Sequence, residues 1–282
     1  MPQELRGLVV QGGAMRAIYS MAALQALADN GDTSSRFDLI VAASAGALNA
    51  SLFVSDRAAV GTSLYLDKLS DGRFINTRRL HRIVDVDYLI DEVVMPAVPD
   101  LAEHLAIGPR FLVPLTEHPS GRAACIDLQS VSPEISPFEV LRATCAIPVL
   151  YNRPVDVGPR RYVDGGVTDP LPVARTLLAG CSELVVITTR PLASELAGLS
   201  LRDKLAVALW PNVSRPIRRL ILAPRPLEDL SNELLSTVGG ITWIAPSDAG
   251  CLVDRTTTER SALERCVNMA HTDVMRAMDT QR

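Results

Sequence analysis

Five cysteines (Cys125, Cys145, Cys181, Cys251 and Cys266) are scattered over the chain without a CxxC pair or a Cys/His spacing. That excludes a patterned disulfide framework and a zinc-ribbon type of site, and it reads as reduced, buried thiols of a cytosolic protein. Basic charge is not in excess. The formal net charge is −4, so electrostatics give no reason to expect a nucleic-acid partner. No uncharged apolar stretch reaches membrane-spanning length. The start, MPQELRGLVV, lacks the basic region and long apolar run of a secretory leader. Internal repeats and low-complexity linkers are absent as well. What is present is apolar substance: 48% of the 282 residues are hydrophobic, enough for a sizeable core. The expectation is a cytoplasmic globular protein. Its oligomeric state is not legible.

The apolar residues alternate between two kinds of segment. LRGLVV (5–10) leads into glycines and suits a buried strand, and AMRAIYSMAALQALADNG (14–31) reads as a helix that stops at Asn30-Gly31. FDLIVAA (37–43) is a second buried strand, and GALNASLFVS (46–55) opens a second helix. Strand and helix alternating at this pace predict an α/β fold with a mainly parallel sheet and crossover helices. Residues 56–108 read as mainly helical. The stretch 110–128 reads as two strands around a Pro-Ser-Gly turn. In SPFEVLRATCA (136–146), Ser136, Pro137 and Glu139 stand at cap, first and third helical positions. A strand over 160–166, a helix over 171–180, strands over 182–191 and 240–247, and a last helix over 256–279 complete the pattern. One domain over 1–282 is expected, with a helical flap at 192–238, which is rich in Leu, Pro and Arg.

Three short stretches carry chemistry. Ala42-Ala43-Ser44-Ala45-Gly46 lies between a predicted strand and a predicted helix. A nucleophile elbow needs that context, with small residues letting strand and helix approach. The competing reading is that Ser44 caps the helix that follows. VVQGGAMRA (9–17) is a glycine turn whose backbone N–H groups can face an anion. It suits an oxyanion hole, with the N–H groups of Gly13 and Ala14 as donors. It is not GxGxxG, and no acidic residue ends a second strand about twenty residues on, which weakens a dinucleotide site. A simple packing turn also fits. In YVDGGVTDPLP (162–172), Asp164 ends a strand before two glycines and is placed to face a cleft. Asp164 also fits a turn-stabilising aspartate, and Asp169, before Pro170, fits that role better.

These stretches, in this order and spacing, resemble the patatin-like phospholipase family. That family pairs a G-G-x-x-R oxyanion turn, a G-x-S-x-G elbow and a D-G-G/A motif. The counterparts here are Gly12-Gly13-Ala14-Met15-Arg16, Ala42-Ala43-Ser44-Ala45-Gly46 and Asp164-Gly165-Gly166. RATCAIPVLYNRPVDVGPRRYVDGG resembles the block leading into the family's aspartate. The resemblance covers about residues 5–190. It implies a three-layer α/β/α sandwich that hydrolyses acyl esters of lipids, phospholipid or lysophospholipid, through a Ser44–Asp164 dyad, with no metal and no cofactor. The Gly12, Gly13 and Ala14 turn would hold the oxyanion, and Arg16 would support the loop or an anionic head group. Three residues depart from the family pattern: Ala14, Ala17 and Ala42 stand where glycine is usual.

Rival readings follow from the same residues. The order Ser44, Asp164, His271 fits an α/β-hydrolase triad, although His271 lies in the helix-like CVNMAHTDVMRAM. His81, His104 and His118 precede Asp164 and do not fit that order. A fold kept for binding without catalysis is a second rival, and a nucleotide binder a third. ALWPNVSRPIRRLILAPRP (208–226) sets Trp210 and leucines beside Arg215, Arg218, Arg219 and Arg225. That mixture suits peripheral contact with an anionic lipid surface, or an ordinary packed segment with a basic outer face.

Overall fold

A computed structural model describes residues 4–79, 82–191, 207, 210, 212–223 and 226–279. The chain runs β1 (Leu5–Val10), a single 3-10 turn at Ala14–Ala17, α1 (Ile18–Asp29), β2 (Leu39–Ala42), α2 (Ala45–Val54) and α3 (Ala58–Asp67). A wide helical stretch at Tyr88–Val94 and α4 (Leu101–Ile107) lead to β3 (Arg110–His118) and β4 (Ala123–Asp127). Then come α5 (Pro137–Thr144), β5 (Val155–Val157), β6 (Arg160–Asp164), α6 (Val173–Leu178) and β7 (Cys181–Ile187). The described remainder forms α7 (Arg215–Leu222), α8 (Pro226–Thr237), β8 (Ile241–Ile244) and α9 (Arg260–Asp279).

Strands β3, β2, β1, β7 and β8 lie side by side and parallel. The period-2 alternation of a strand decides which layer each side chain enters. Leu8 and Val10 of β1, Ile40 and Ala42 of β2, and Val185 and Ile187 of β7 join one core with α1, α2, α3 and α9. Val9, Val41, Leu184 and Val186 point the other way, into a smaller core that includes Val173 of α6 and Leu235 of α8. The result is a three-layer sandwich with helices on both faces of a mixed sheet. All ten residues of α2 are buried, which its nearly uniform small and apolar sequence permits. At α5, the Ser136 hydroxyl accepts from the Phe138 N–H at 3.2 Å, and Pro137 occupies the first turn, as the sequence predicts.

The antiparallel part of the sheet departs from the sequence reading. Val155–Val157 and Arg160–Asp164 pair as a hairpin about Gly158, and only its second strand is predicted. The first is three residues long, too short for an alternation pattern to show. The consequence for the site lies at β3. Leu112 is flanked by Val41 and Asp127, and Leu115 by Ala124 and Asp164. Because β4 runs continuously along one edge of β3, β2 and β6 share the other. They approach each other with their carboxyl ends, leaving Val113 and Pro114 between them. The fold thereby brings the residues after Ala42 up against Asp164.

Candidate active site

The turn from β2 into α2 is strained at Ser44, whose backbone has φ 55° and ψ −139°. A side chain held there costs about 1–3 kcal/mol, a cost other contacts must offset. The helix behind it sits very close. A Cβ on Gly46 would stand 2.4 Å from the Val10 carbonyl oxygen, so only glycine fits. The Ser44 side chain does not cap α2. Its hydroxyl instead donates to Oδ2 of Asp164 at 2.7 Å, across 120 residues of sequence. Ser44 and Asp164 are both buried.

Asp164 does two things at once. Its Oδ1 accepts from the Gly166 N–H at 2.6 Å, the turn-stabilising bond, while Oδ2 receives Ser44. The two readings of this residue are therefore compatible: the turn bond orients the carboxylate that meets the serine. Gly165 follows because a Cβ there would stand 2.1 Å from the Pro114 carbonyl oxygen, at the gap between β2 and β6. Thr144, the last residue of α5, fills the same gap. Its hydroxyl donates to the Pro114 carbonyl at 2.9 Å and accepts from the Ser44 N–H at 2.9 Å.

The β1–α1 turn lies beside this pair. A Cβ on Gly12 would come within 2.8 Å of the Ser44 Cβ. Among the described residues, the N–H groups of Gly12, Gly13 and Ala14 meet no protein acceptor. Thr189, just beyond β7, braces the turn. Its N–H donates to the Gln11 side-chain carbonyl at 2.8 Å and its hydroxyl to the Gly12 carbonyl at 2.9 Å. Arg16 Nε donates to the Thr189 hydroxyl at 3.4 Å. Ala14 takes φ 52°, which explains the glycine usual in the family and costs an alanine about 1–2 kcal/mol. Ala17, by contrast, has ordinary right-handed backbone and needs no glycine.

Ser44, Asp164 and the 12–16 turn open onto one cavity of about 370 Å³. Ile147, Pro148, Val149, Leu150, Val167 and Ile221 supply apolar walls, and Arg16, Arg190, Arg255 and Glu228 supply charge. Burial, then the guanidiniums of Arg190 and Arg255, pull Arg16 down to about 9, against the pull of Asp254 and Glu228. It stays protonated at neutral pH. Beneath the site, complete burial and then Asp164 push the Cys145 thiol well up, so it is no rival nucleophile.

Other expectations are displaced. His271 lies on α9 and is not among the described residues that line the cavity; its buried Nε2 has no hydrogen-bond partner among the described residues. Asp169 is not a turn cap: its Oδ2 accepts from Arg175 Nε at 2.9 Å. Arg218 is not part of an outer basic face. It donates to the carbonyls of Val207 at 3.1 Å, Trp210 at 2.9 Å and Val213 at 3.2 Å, and so fastens α7 to the segment before it. Arg215 and Arg219 are exposed. Of the expected flap, residues 192–206, 208, 209, 211, 224 and 225 lie outside the described residues, as does His81; α7 and α8 form most of its described part. Among the described residues, no helix is long and apolar enough to cross a membrane, and no cluster of three or more His, Cys, Asp or Glu side chains is arranged to hold a metal.

Sequence reasoning missed Thr144, Gln11, Thr189, Arg190, Arg255 and Glu228. For Thr188, Thr189 and Arg190 a signal existed: they follow a buried parallel strand, and ligands in open α/β sheets bind beyond strand carboxyl ends. Thr144 carried none, since its two partners are 30 and 100 residues away.

A family profile described as patatin-like phospholipase matches residues 8–177. The uncharacterized protein YjjU of Escherichia coli (strain K12) is 28% identical over 195 residues, 65% of this chain and 52% of that protein. The chain thus spans about half the length of the curated relative it matches. VipD from Legionella pneumophila shares the fold, with a TM-score of 0.58 at 15% identity over 99% of this chain and 67% of that one. The type III effector protein ExoU scores 0.41 at 11% identity over 98% of this chain and 53% of that one, too low to bear on the fold. The profile covers more than half of the chain and takes in the Gly12 turn, Ser44 and Asp164, and the chain belongs to the patatin-like phospholipase family.

Proposed function

We propose that the protein is a serine acyl hydrolase that cleaves carboxylic ester bonds of lipids, with Ser44 as nucleophile and Asp164 as base. The observation that carries this reading is the 2.7 Å bond from the Ser44 hydroxyl to Asp164, made from a strained turn at the mouth of a largely apolar cavity. Asp164 takes the hydroxyl proton as Ser44 attacks the ester carbonyl. The N–H groups of Gly12, Gly13 and Ala14 hold the negative oxygen of the tetrahedral intermediate. Each such donor is worth roughly 10²–10³ in rate. Arg16 supports the turn through Thr189. The tetrahedral intermediate collapses, Asp164 returns the proton to the departing alcohol, and the acyl group remains on Ser44. Water, deprotonated by Asp164, then releases the acid and restores the serine. The walls at 147–150 take the acyl chain. A cytoplasmic protein in peripheral contact with lipid fits this chemistry.

The test is labelling by a fluorophosphonate probe together with turnover of a lipid-ester panel. Wild type is expected to label and to hydrolyse. Ser44→Ala is expected to lose labelling entirely with the fold intact. Asp164→Asn is expected to fall by at least about 10³, because an amide cannot accept the proton. A folded wild type that neither labels nor hydrolyses any ester overturns the proposal.

A further inference from the structure

Two hollows of the molecule meet at one pair of residues. Among the described residues, Pro148 and Val149 line both the Ser44 cavity, of about 370 Å³, and a second hollow of about 10 Å³. The second has room for about one water molecule. Val163, Val213 and Ile217 supply its apolar part, and these three are buried as a small core of their own. Val149 packs against that core, together with Val167 and Ile221, which also line the Ser44 cavity. Pro148 and Val149 thus stand between the space in front of the serine and an apolar core behind it.

Val149 is held there against its backbone preference. Its φ is 75°, in the left-handed region that a β-branched side chain rarely occupies. Glycine would sit there without that cost. The bonds around it fix the turn. The Tyr151 N–H donates to the Ile147 carbonyl at 3.0 Å, and the Val84 N–H donates to the Leu150 carbonyl at 3.1 Å. The Tyr151 hydroxyl donates to Asp87 at 2.7 Å, and Trp210 Nε1 donates to Asn152 Oδ1. A strained residue persists only where its surroundings over-determine it, and such residues cluster at active sites and ligand clamps. Pro148 adds a fixed φ just before it. The wall is therefore stiff, and a chain that reaches it stops rather than pushing it aside.

We propose that Val149 determines acyl-chain length, as the stop at the end of the acyl path that leads from Ser44. This rests on the hydrolase reading above. Behind the stop lie valine and isoleucine side chains, the surroundings that a longer chain needs. Removing the Val149 side chain joins the two hollows and opens room for roughly two to three methylenes, the carbon content of the side chain itself. Each methylene newly buried there is worth roughly fourfold in affinity.

The experiment measures kcat/KM over p-nitrophenyl esters with acyl chains from butanoyl to decanoyl, all kept monomeric. Wild type is expected to pass through an optimum, beyond which further methylenes lower kcat/KM. Val149→Ala and Val149→Gly are expected to move that optimum up by about two carbons, glycine at least as far as alanine, with roughly fourfold gained per added methylene. Val149→Gly relieves the backbone strain and is expected to fold. Val213→Ala, behind the stop, is expected to leave the wild-type optimum in place and to move it further in the Val149→Gly background. That non-additivity separates a stop from a general loosening of the wall. A second arm needs no turnover: calorimetric titration of primary alcohols from hexanol to decanol. Affinity is expected to stop rising with length in wild type and to go on rising in Val149→Gly. Optima unchanged in both Val149 variants with wild-type circular dichroism, or a wild type without an optimum, overturn the stop. So does a Val213→Ala variant that moves the wild-type optimum as far as Val149→Gly does. A shifted alcohol limit without hydrolysis of any ester overturns the hydrolase reading and leaves the stop standing. Neither hydrolysis nor alcohol binding overturns both.

Discussion

The backbone N–H of Ser44 donates to the Thr144 hydroxyl at 2.9 Å, and the same hydroxyl donates to the Pro114 carbonyl at 2.9 Å. One side chain thereby joins the serine turn to β3 at the gap between β2 and β6. Thr144→Val keeps the shape and removes both bonds, leaving two buried backbone groups unpaired. Stability is expected to fall by about 1–3 kcal/mol. The rate should fall further than that implies, because a small displacement of a nucleophile costs up to about 10². The measurable outcome is a drop in kcat with KM little changed, and recovery in Thr144→Ser. Equal losses in the valine and serine variants would show that the hydroxyl is not what holds the turn.

Gly165 and Gly166 are expected to respond differently to alanine. The new Cβ at Gly165 meets the Pro114 backbone at 2.1 Å, which cannot yield without separating β6 from β3. Gly165→Ala is therefore expected to destabilise by more than about 3 kcal/mol or to prevent folding. At Gly166 the nearest atom is Oδ1 of Asp164, at 2.9 Å, and a side chain can move. Gly166→Ala should fold and lose activity, because the carboxylate facing Ser44 is pushed aside. Urea midpoints and turnover of the two variants check both statements.

His271→Ala is expected to leave fluorophosphonate labelling intact. His271 is not among the described residues that line the cavity, and its buried Nε2 has no partner among the described residues to lose. Loss of labelling in a variant with wild-type circular dichroism would make the histidine necessary and replace the dyad with a triad.

Asp87 sets a pH dependence. Its carboxylate accepts from the Tyr151 hydroxyl at 2.7 Å, from Arg142 at 2.7 Å, from Arg153 at 2.6 Å and from Arg82. Burial alone would raise its pKa; the bonds from Tyr151 and Arg153 outweigh that and hold it below the usual value. A depressed carboxylate stabilises the fold above its unfolded pKa of about 4, and the contribution is lost as pH falls through the lower folded value. Asp87→Asn is expected to cost about 1–3 kcal/mol at pH 7 and less at an acid pH below the unfolded value of about 4, as the wild-type carboxylate approaches its lower folded value. Because Tyr151 follows the cavity wall at 147–150, the acyl-chain preference of the variant should also broaden. Urea denaturation at the two pH values and an acyl-chain series are the measurements.

Much of this was written in the chain. Small and apolar runs of strand and helix length determine the α/β alternation, because a buried parallel strand needs apolar residues on both faces. Ser136-Pro137 determines where α5 begins, through cap chemistry that involves only neighbours. Glycine stands at 46 and 165 in the sequence, but the close approaches that require it, to the Val10 and Pro114 carbonyls, arise only in the folded chain. The three motifs, taken in order, named Ser44, Asp164 and the Gly12 turn.

Tertiary structure alone decided how those residues meet. That Ser44 donates to Asp164 rather than capping α2 depends on β2 and β6 meeting end to end along β3, a pairing between segments 120 residues apart. Thr144 carries no local signal because its role consists of bonds to residues 30 and 100 positions away. Arg218 looked like outer basic charge from its neighbours, yet three carbonyls hold it. Local sequence sets propensity and clearance within a few residues. Which distant groups satisfy a hydroxyl or a guanidinium is settled only when the sheet order is set.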